Sequence, residues 1–203
     1  MDPLQTVALS AGLAWASGLR LYLVVFLAGV LSHLGYLQLP ASLSVLQHPL
    51  VMAAAGVMAL AELVADKIPA FDSLWDSFQT FIRIPAGALL AAFAMGEVDP
   101  AWTVAAGLIG GTITAGTHFA KAGSRLAINA SPEPFSNWLA SFSEEGMVLG
   151  GLWAMLASPL IFWRCWWYSC SWPALSWSSS GASWGACCVA YNRAFRRPAR
   201  LNG

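Results

Sequence analysis

Between Leu4 and Leu34 the chain carries one formal charge, Arg20, in an otherwise apolar run. As a continuous helix that run would extend about 45 Å, against a hydrocarbon core of about 30 Å. A stretch this apolar belongs in lipid, and one this long must tilt or break. The Ser17-Gly18 pair just ahead of Arg20 is the expected break, dividing the run into two shorter pieces, one of them a candidate re-entrant segment. The competing reading is one long tilted helix whose Arg20 snorkels to the interface.

Composition points the same way. Of 203 residues 58% are apolar and 10% charged, with a mean hydropathy of +0.61, whereas soluble domains are charged at roughly a quarter of their positions. Ten basic residues balance ten acidic ones, so no electrostatic footprint for nucleic acid is present. The N-terminus lacks the basic region of a secretory signal and reads as the start of the first membrane segment.

Further apolar runs follow at Leu50–Ala65, Ala86–Met95, Ala101–Thr117 and Met147–Phe162. Tyr36–Pro49 reads as a connecting loop, and Glu97, Asp99 and Pro100 as an acidic turn. Gly107, Gly110, Gly111 and Gly116 would let a neighbouring backbone approach the fourth span closely. The expected fold is all-α: a polytopic transmembrane helical bundle of about five spans with at least one interrupted or re-entrant helix.

Polar residues stand out against this background. Glu62 and Asp66 share one helical face at the end of the second run, and Asp72 and Asp76 repeat the i, i+4 spacing. Leu74, Trp75, Phe78, Phe81 and Ile82 lie opposite the second pair, as in an amphipathic helix at the interface, so Asp72 and Asp76 are expected on its solvated face. His118, Lys121 and Arg125 also share a face, with Gly123 offering a place for the helix to break. Phe135–Phe142 reads as interfacial, with Trp138 in the aromatic belt and Glu144 and Glu145 preceding the last run. A faint echo relates Ala11-Gly12, Trp15-Ala16 and Gly18-Leu19-Arg20-Leu21 to Ala115-Gly116, Phe119-Ala120 and Gly123-Ser124-Arg125-Leu126. Transporters built from internal repeats carry such traces, though small apolar residues alone also produce them.

After Phe162 the texture changes. All four cysteines (Cys165, Cys170, Cys187, Cys188) and six of the eleven tryptophans lie beyond it, and leucine nearly vanishes. A CTG leucine codon read one base late begins TG, giving Trp or Cys, so residues 163–203 read as an aberrant, frameshifted tail on an integral membrane domain of residues 1–162. If G+C-rich codons are assumed, moving the frame back by one base can give a leucine-rich span followed by a basic amphipathic helix. The cysteines then carry no design, and without a CxxC pair they suggest no zinc site.

Several blocks carry a family resemblance: Ala16–Arg20; Ala61–Pro69 with Asp72, Trp75 and Asp76; Ile82–Gly87; Thr117–Arg125; and Ser131–Asn137. Together they resemble the membrane family catalogued as domain of unknown function 4126. The resemblance implies a small multi-spanning protein of a bacterial plasma membrane and brings no activity with it. The family pattern expects a leucine-rich last helix where this chain turns to tryptophan.

Ionisable groups within membrane segments are functional candidates because inserting them is costly. The candidate site is a polar crevice in which Arg20, Arg83, His118, Lys121 and Arg125 face Glu62, Asp66, Asp72 and Asp76. The reading is a small transporter or channel-like component with no cofactor and no metal. Its partners are the bilayer, an unidentified solute or ion and, as a candidate, a second copy of the chain. The alternatives are an assembly subunit of a membrane complex, which predicts a dry interior, and a lipid-modifying enzyme using His118 with Asp66. No HExxH, GxSxG or P-loop is read in the chain to support the enzyme, and no Cys/His pair at metal spacing before Phe162. Lys121–Arg125 and the Arg-rich tail would both mark a cytoplasmic side.

Overall fold

The structure is a computed structural model that describes residues 2–68, 71–129, 134–158, 160 and 162–164. Five helices form it: α1 Pro3–His33, α2 Pro49–Ala65, α3 Phe71–Ala94, α4 Pro100–Asn129 and α5 Pro134–Ala157. A 3-10 helix, Ala41–Gln47, precedes α2 and meets it at 67°. Four helices begin on proline, which needs no amide partner in a first turn; Pro3, Pro49, Pro100 and Pro134 fill that place.

The first helix is the axis of the bundle. It touches all four others, and α3 and α4 lie along one another beside it. From Ala8 to Leu21 every residue of α1 is buried, so a segment apolar on all sides is surrounded on all sides. Its Leu9, Leu13, Trp15 and Val24 pack in one core with Leu43, Leu46, Leu90, Val148 and Leu152.

The break in α1 falls at Arg20 itself, whose φ of −147° and ψ of 78° are extended, rather than at Ser17-Gly18. Those two residues stay helical because they serve close packing. A Cβ on Gly18 would lie 2.6 Å from the carbonyl oxygen of Thr114, and Ser17 Oγ donates to the Ala14 carbonyl at 2.9 Å. Arg20 does not snorkel either; it is 1% exposed.

Two further expectations are corrected. Residues 71–82 are not a separate interfacial helix. They are the first half of α3, which runs through Pro85 as one element. Asp72 and Asp76 are buried, while Leu74, Phe78 and Phe81 are exposed, Phe81 at 81%. The amphipathic pattern was legible, but its polar face points into the protein and its apolar face outward, the reverse of a helix on a solvated surface. The second correction concerns α4, which continues through Gly123 to Asn129 without breaking. Nothing lies within 4 Å of a Cβ placed at Gly116 or Gly123, whereas Gly107, Gly110 and Gly111 do pack against α3.

By length and apolarity α1 and α3 qualify to cross a membrane, and the bent pair of 3-10 helix and α2 would make a third span. α4 and α5 carry much of the buried polar surface and do not qualify on apolarity alone. The expected frameshifted tail, from residue 165 onward, lies outside the described residues.

Candidate functional site

One face of α4 presents Thr114, His118, Lys121, Arg125 and Asn129 at spacings of three or four residues, which on a helix is a single stripe. The first four are buried. α3 presents Asp72, Asp76, Gln79 and Arg83 in the same manner, and α5 presents Asn137, Ser141 and Glu144. Glu62 closes α2, Asp66 follows it, and the break in α1 delivers Arg20. The stripes face one another as a polar column that runs about 17 Å along α4, from His118 to Asn129. All nine ionisable residues singled out in the sequence are in it, none more than 3% exposed.

Asp66 is the hub. Its Oδ2 lies 2.8 Å from Arg20 Nη2, 3.3 Å from Lys121 Nζ and 3.5 Å from Arg125 Nη2. Glu144 is a second hub, 2.8 Å from Arg125 Nε, 3.4 Å from Lys121 Nζ and 3.5 Å from Arg20 Nη2. Deeper in, Arg83 bridges Glu62 and Asp76, the latter at 3.1 Å, and Lys121 stands 3.8 Å and 3.6 Å from the same two acids. Arg20 Nη2 also donates to Ser141 Oγ at 2.8 Å. Arg125 Nη1 donates to the Asp66 and Asn137 carbonyls at 3.1 and 3.2 Å.

Hydrogen bonding assigns the state of His118. Arg83 Nη1 lies 3.2 Å from Nδ1, and a guanidinium only donates, so Nδ1 is the acceptor. Thr80 gives its hydroxyl proton to the Asp76 carbonyl at 3.0 Å, so at 2.7 Å it accepts from Nε2–H. The ring is neutral, with both nitrogens committed. Asp66 and His118, the pair an enzyme would use, are not joined by any of these bonds.

Past His118 the column closes. Thr114 Oγ1 donates to the Ala14 carbonyl at 2.8 Å, and a Cβ on Gly87 would sit 2.7 Å from Ser17 Oγ. A Cβ on Gly110 would collide with that of Ala91. Here α1, α3 and α4 touch through backbone and small side chains, as helices do where packing excludes everything else. The column is therefore a half-length one, ending blind against a small-residue seal.

Of the five basic residues before Arg164, four are in the column; Lys67 instead lies 5.3 Å above the Trp138 ring and 5.4 Å above that of Phe142. Lys121 and Arg125 are buried partners of carboxylates, so they do not mark a membrane side as expected. The crevice is occluded, with Glu62 and His118 0% exposed. Arg20 and Arg125, which the internal echo pairs, converge on Asp66 and Glu144, yet only the first sits at a helix break.

The sequence reading missed Glu144 and its helix neighbours Asn137 and Ser141. Their i, i+4, i+7 spacing was the available signal, hidden by Phe135, Trp138 and Phe142 on the other face. It also passed over Gly181-Ala182-Ser183-Trp184-Gly185, which has GxSxG spacing but lies outside the described residues and in the tail read as out of frame.

No curated protein and no solved structure matches the chain. Residues 7–176 do match a family model, described as Domain of unknown function (DUF4126), which runs past Phe162 into the tail. Four of the five blocks that carried the resemblance supply residues of the buried column from α1, α2, α3 and α4, and the fifth supplies Asn137. Across most of its length, this chain belongs to the DUF4126 family.

Proposed function

We propose that this protein is a small membrane transporter or channel-like component, in a bacterial plasma membrane, whose ion or solute path runs through the buried column. The observation that supports this most is the burial of four cations among five carboxylates inside an otherwise apolar bundle. Exchanging such a network for packed hydrocarbon is often neutral or stabilising, so stability alone gives no reason to keep it. Ionisable groups inside a membrane are characteristic of substrate and ion pathways. The closed interior, with Glu62 and His118 fully buried, matches the dry interior expected of an assembly subunit, which stands as the second reading. The enzyme reading loses ground because His118 has no free nitrogen and Asp66 is held by three cations.

On this reading the structure corresponds to an occluded state. The seal at Gly18, Gly87, Gly110 and Thr114 blocks one end, and conduction requires α1 to part from α3 and α4 there. Lipid covers the outward Phe78 and Phe81, with a second copy of the chain as the other candidate.

The test is ion flux in proteoliposomes, following protons and monovalent cations, with wild type compared to Glu62→Gln and His118→Ala. Flux in wild type that both substitutions depress, with the variants still monodisperse in detergent, supports the reading. Equal flux in all three removes the column from any path, and silence in wild type removes the function.

A further inference from the structure

Charges in the column do not cancel. Glu62, Asp66, Asp72, Asp76 and Glu144 are its buried acids, and Arg20, Arg83, Lys121 and Arg125 its buried bases. His118 is neutral by its hydrogen bonds. Among the described residues five acids thus face four bases, and Glu145, 3.5 Å from Arg20 with its side chain 23% exposed, adds another acid at the margin. An unpaired charge in such surroundings costs too much to persist, and groups so placed neutralise instead. Leaving aside the partly exposed Glu145, which solvent can serve, the buried set is short by one positive charge.

The shortfall has an address. Asp66 and Glu144 each have three cations within 3.5 Å, Asp76 has Arg83 and Lys121 within 3.6 Å, and Glu62 has Arg83 and Lys121. Asp72 has one, Arg125 Nη1, at 4.0 Å, the longest ion-pair distance in the network. Among the described residues its Oδ2 otherwise accepts only from the neutral Asn129 amide at 3.3 Å. Its Oδ1 is buried without a hydrogen-bond partner among them, as are Glu62 Oε2, Asp66 Oδ1, Asp76 Oδ2 and Glu144 Oε2, but those four acids each have two or three cations nearby where Asp72 has one. Other charges acting on it are Lys121 of α4, Asp66 beyond α2 and Asp76 on its own helix. From α5 the neutral Asn137 reaches it through Asn129, at 2.8 Å. Among the described residues no three His, Cys, Asp or Glu side chains converge as metal ligands. The charge that fits on one bare oxygen is a proton.

We propose that Asp72 is the binding site of an exchangeable proton, taken up on Oδ1 at the end of the column remote from the seal. Uptake forms one O–H bond, takes its proton from water at that end and moves no electrons. The proposal names the ion of the transport reading and rests on that reading only for the proton's onward movement.

Infrared difference spectra of the purified protein in detergent test the site directly. Wild type is expected to show the carbonyl stretch of a protonated carboxyl at neutral pH, shifted in D2O, titrated away at high pH and indifferent to exchange of potassium for sodium. Asp72→Asn is expected to lose that band. It is also expected to unfold at a temperature no lower than wild type, because Asn reproduces the neutral form, whereas Asp66→Asn lowers the unfolding temperature. No protonated carboxyl in wild type, a band that survives Asp72→Asn, or a band abolished by sodium overturns the proposal. If Asp72→Asn fails to fold, Asp72→Glu keeps the test: the band is expected to persist at a shifted frequency, and a band at the wild-type frequency overturns the assignment to Asp72. Should the band behave as expected while wild-type vesicles pass no ion, the proton site stands and the transport reading falls. Flux without a protonated carboxyl gives the reverse.

Discussion

Lys121 Nζ lies 3.3 Å from the backbone carbonyl oxygen of Leu19, the residue immediately ahead of the break in α1 at Arg20. A helix interrupted away from water must find partners for the backbone groups that the break sets free. Here the partner comes from α4, and the same ammonium is 3.3 Å from Asp66, which in turn holds Arg20 at 2.8 Å. The break and the charge network are thus one device: opening the helix turns Arg20 inward, and the network repairs the opened helix.

Removing that ammonium should therefore be severe. Lys121→Met strands the Leu19 carbonyl and withdraws a cation from Glu62, Asp66, Asp76 and Glu144 at once. A loss of about 3 to 5 kcal/mol is expected, the usual cost of stripping one partner from a buried pair. Chemical unfolding in detergent measures it, and a loss below about 1 kcal/mol would mean that water already serves those groups.

The Arg83–Glu62 pair separates stability from function. Arg83→Met alone leaves Glu62 and Asp76 short of a cation and should cost about 3 to 5 kcal/mol, whereas Arg83→Met with Glu62→Leu should recover most of that. Unfolding curves of the single and double variants give the comparison. If the double variant is as stable as wild type yet inactive in the flux assay, the pair is kept for transport.

The seal predicts a contrast among glycines of two adjoining helices. Gly18→Ala forces a Cβ to within 2.6 Å of the Thr114 carbonyl oxygen, and overpacking of this kind costs roughly 1 to 3 kcal/mol or more. Gly116→Ala and Gly123→Ala meet nothing within 4 Å and should change stability by no more than about 1 kcal/mol, in the stabilising direction expected from helix propensity. Unfolding temperatures of the three variants are the measurement.

Outward-facing phenylalanines test the membrane reading. Phe81, 81% exposed on α3, should face hydrocarbon, where an arginine costs about 2.5 to 3.5 kcal/mol on insertion scales. Phe81→Arg is expected to lower the membrane-inserted yield sharply; an unchanged yield would place that face in water.

An out-of-frame tail makes a prediction about DNA. Moving the reading frame back by one base after Phe162 should restore a leucine-rich run followed by a basic helix. The family match reaches residue 176, so the codons to read first are those between the two points. An original frame with no leucine-rich alternative ends the idea.

Much was legible in the residues alone, and what was not has a common cause. Periodicity picked out the polar faces of α2, α3 and α4, and with them seven of the ten ionisable residues of the column, because side-chain spacing along a helix is a local property. Which way a face points is not local. Asp72 and Asp76 looked solvated because a polar face meets water at the surface of a soluble fold; in this bundle it turns inward and Phe78 and Phe81 turn out. The break at Arg20 was misplaced by three residues onto Ser17-Gly18, since a glycine that loosens a helix and one that admits a neighbouring backbone read alike until the neighbour is present. Glu144 was overlooked for want of its partner, Arg125, nineteen residues earlier and on another helix. Sequence determined that this chain is helical, apolar and sparing with charge. Tertiary structure decided that the charges meet, because ion pairing depends on distances of a few ångströms between helices that no one-dimensional pattern contains.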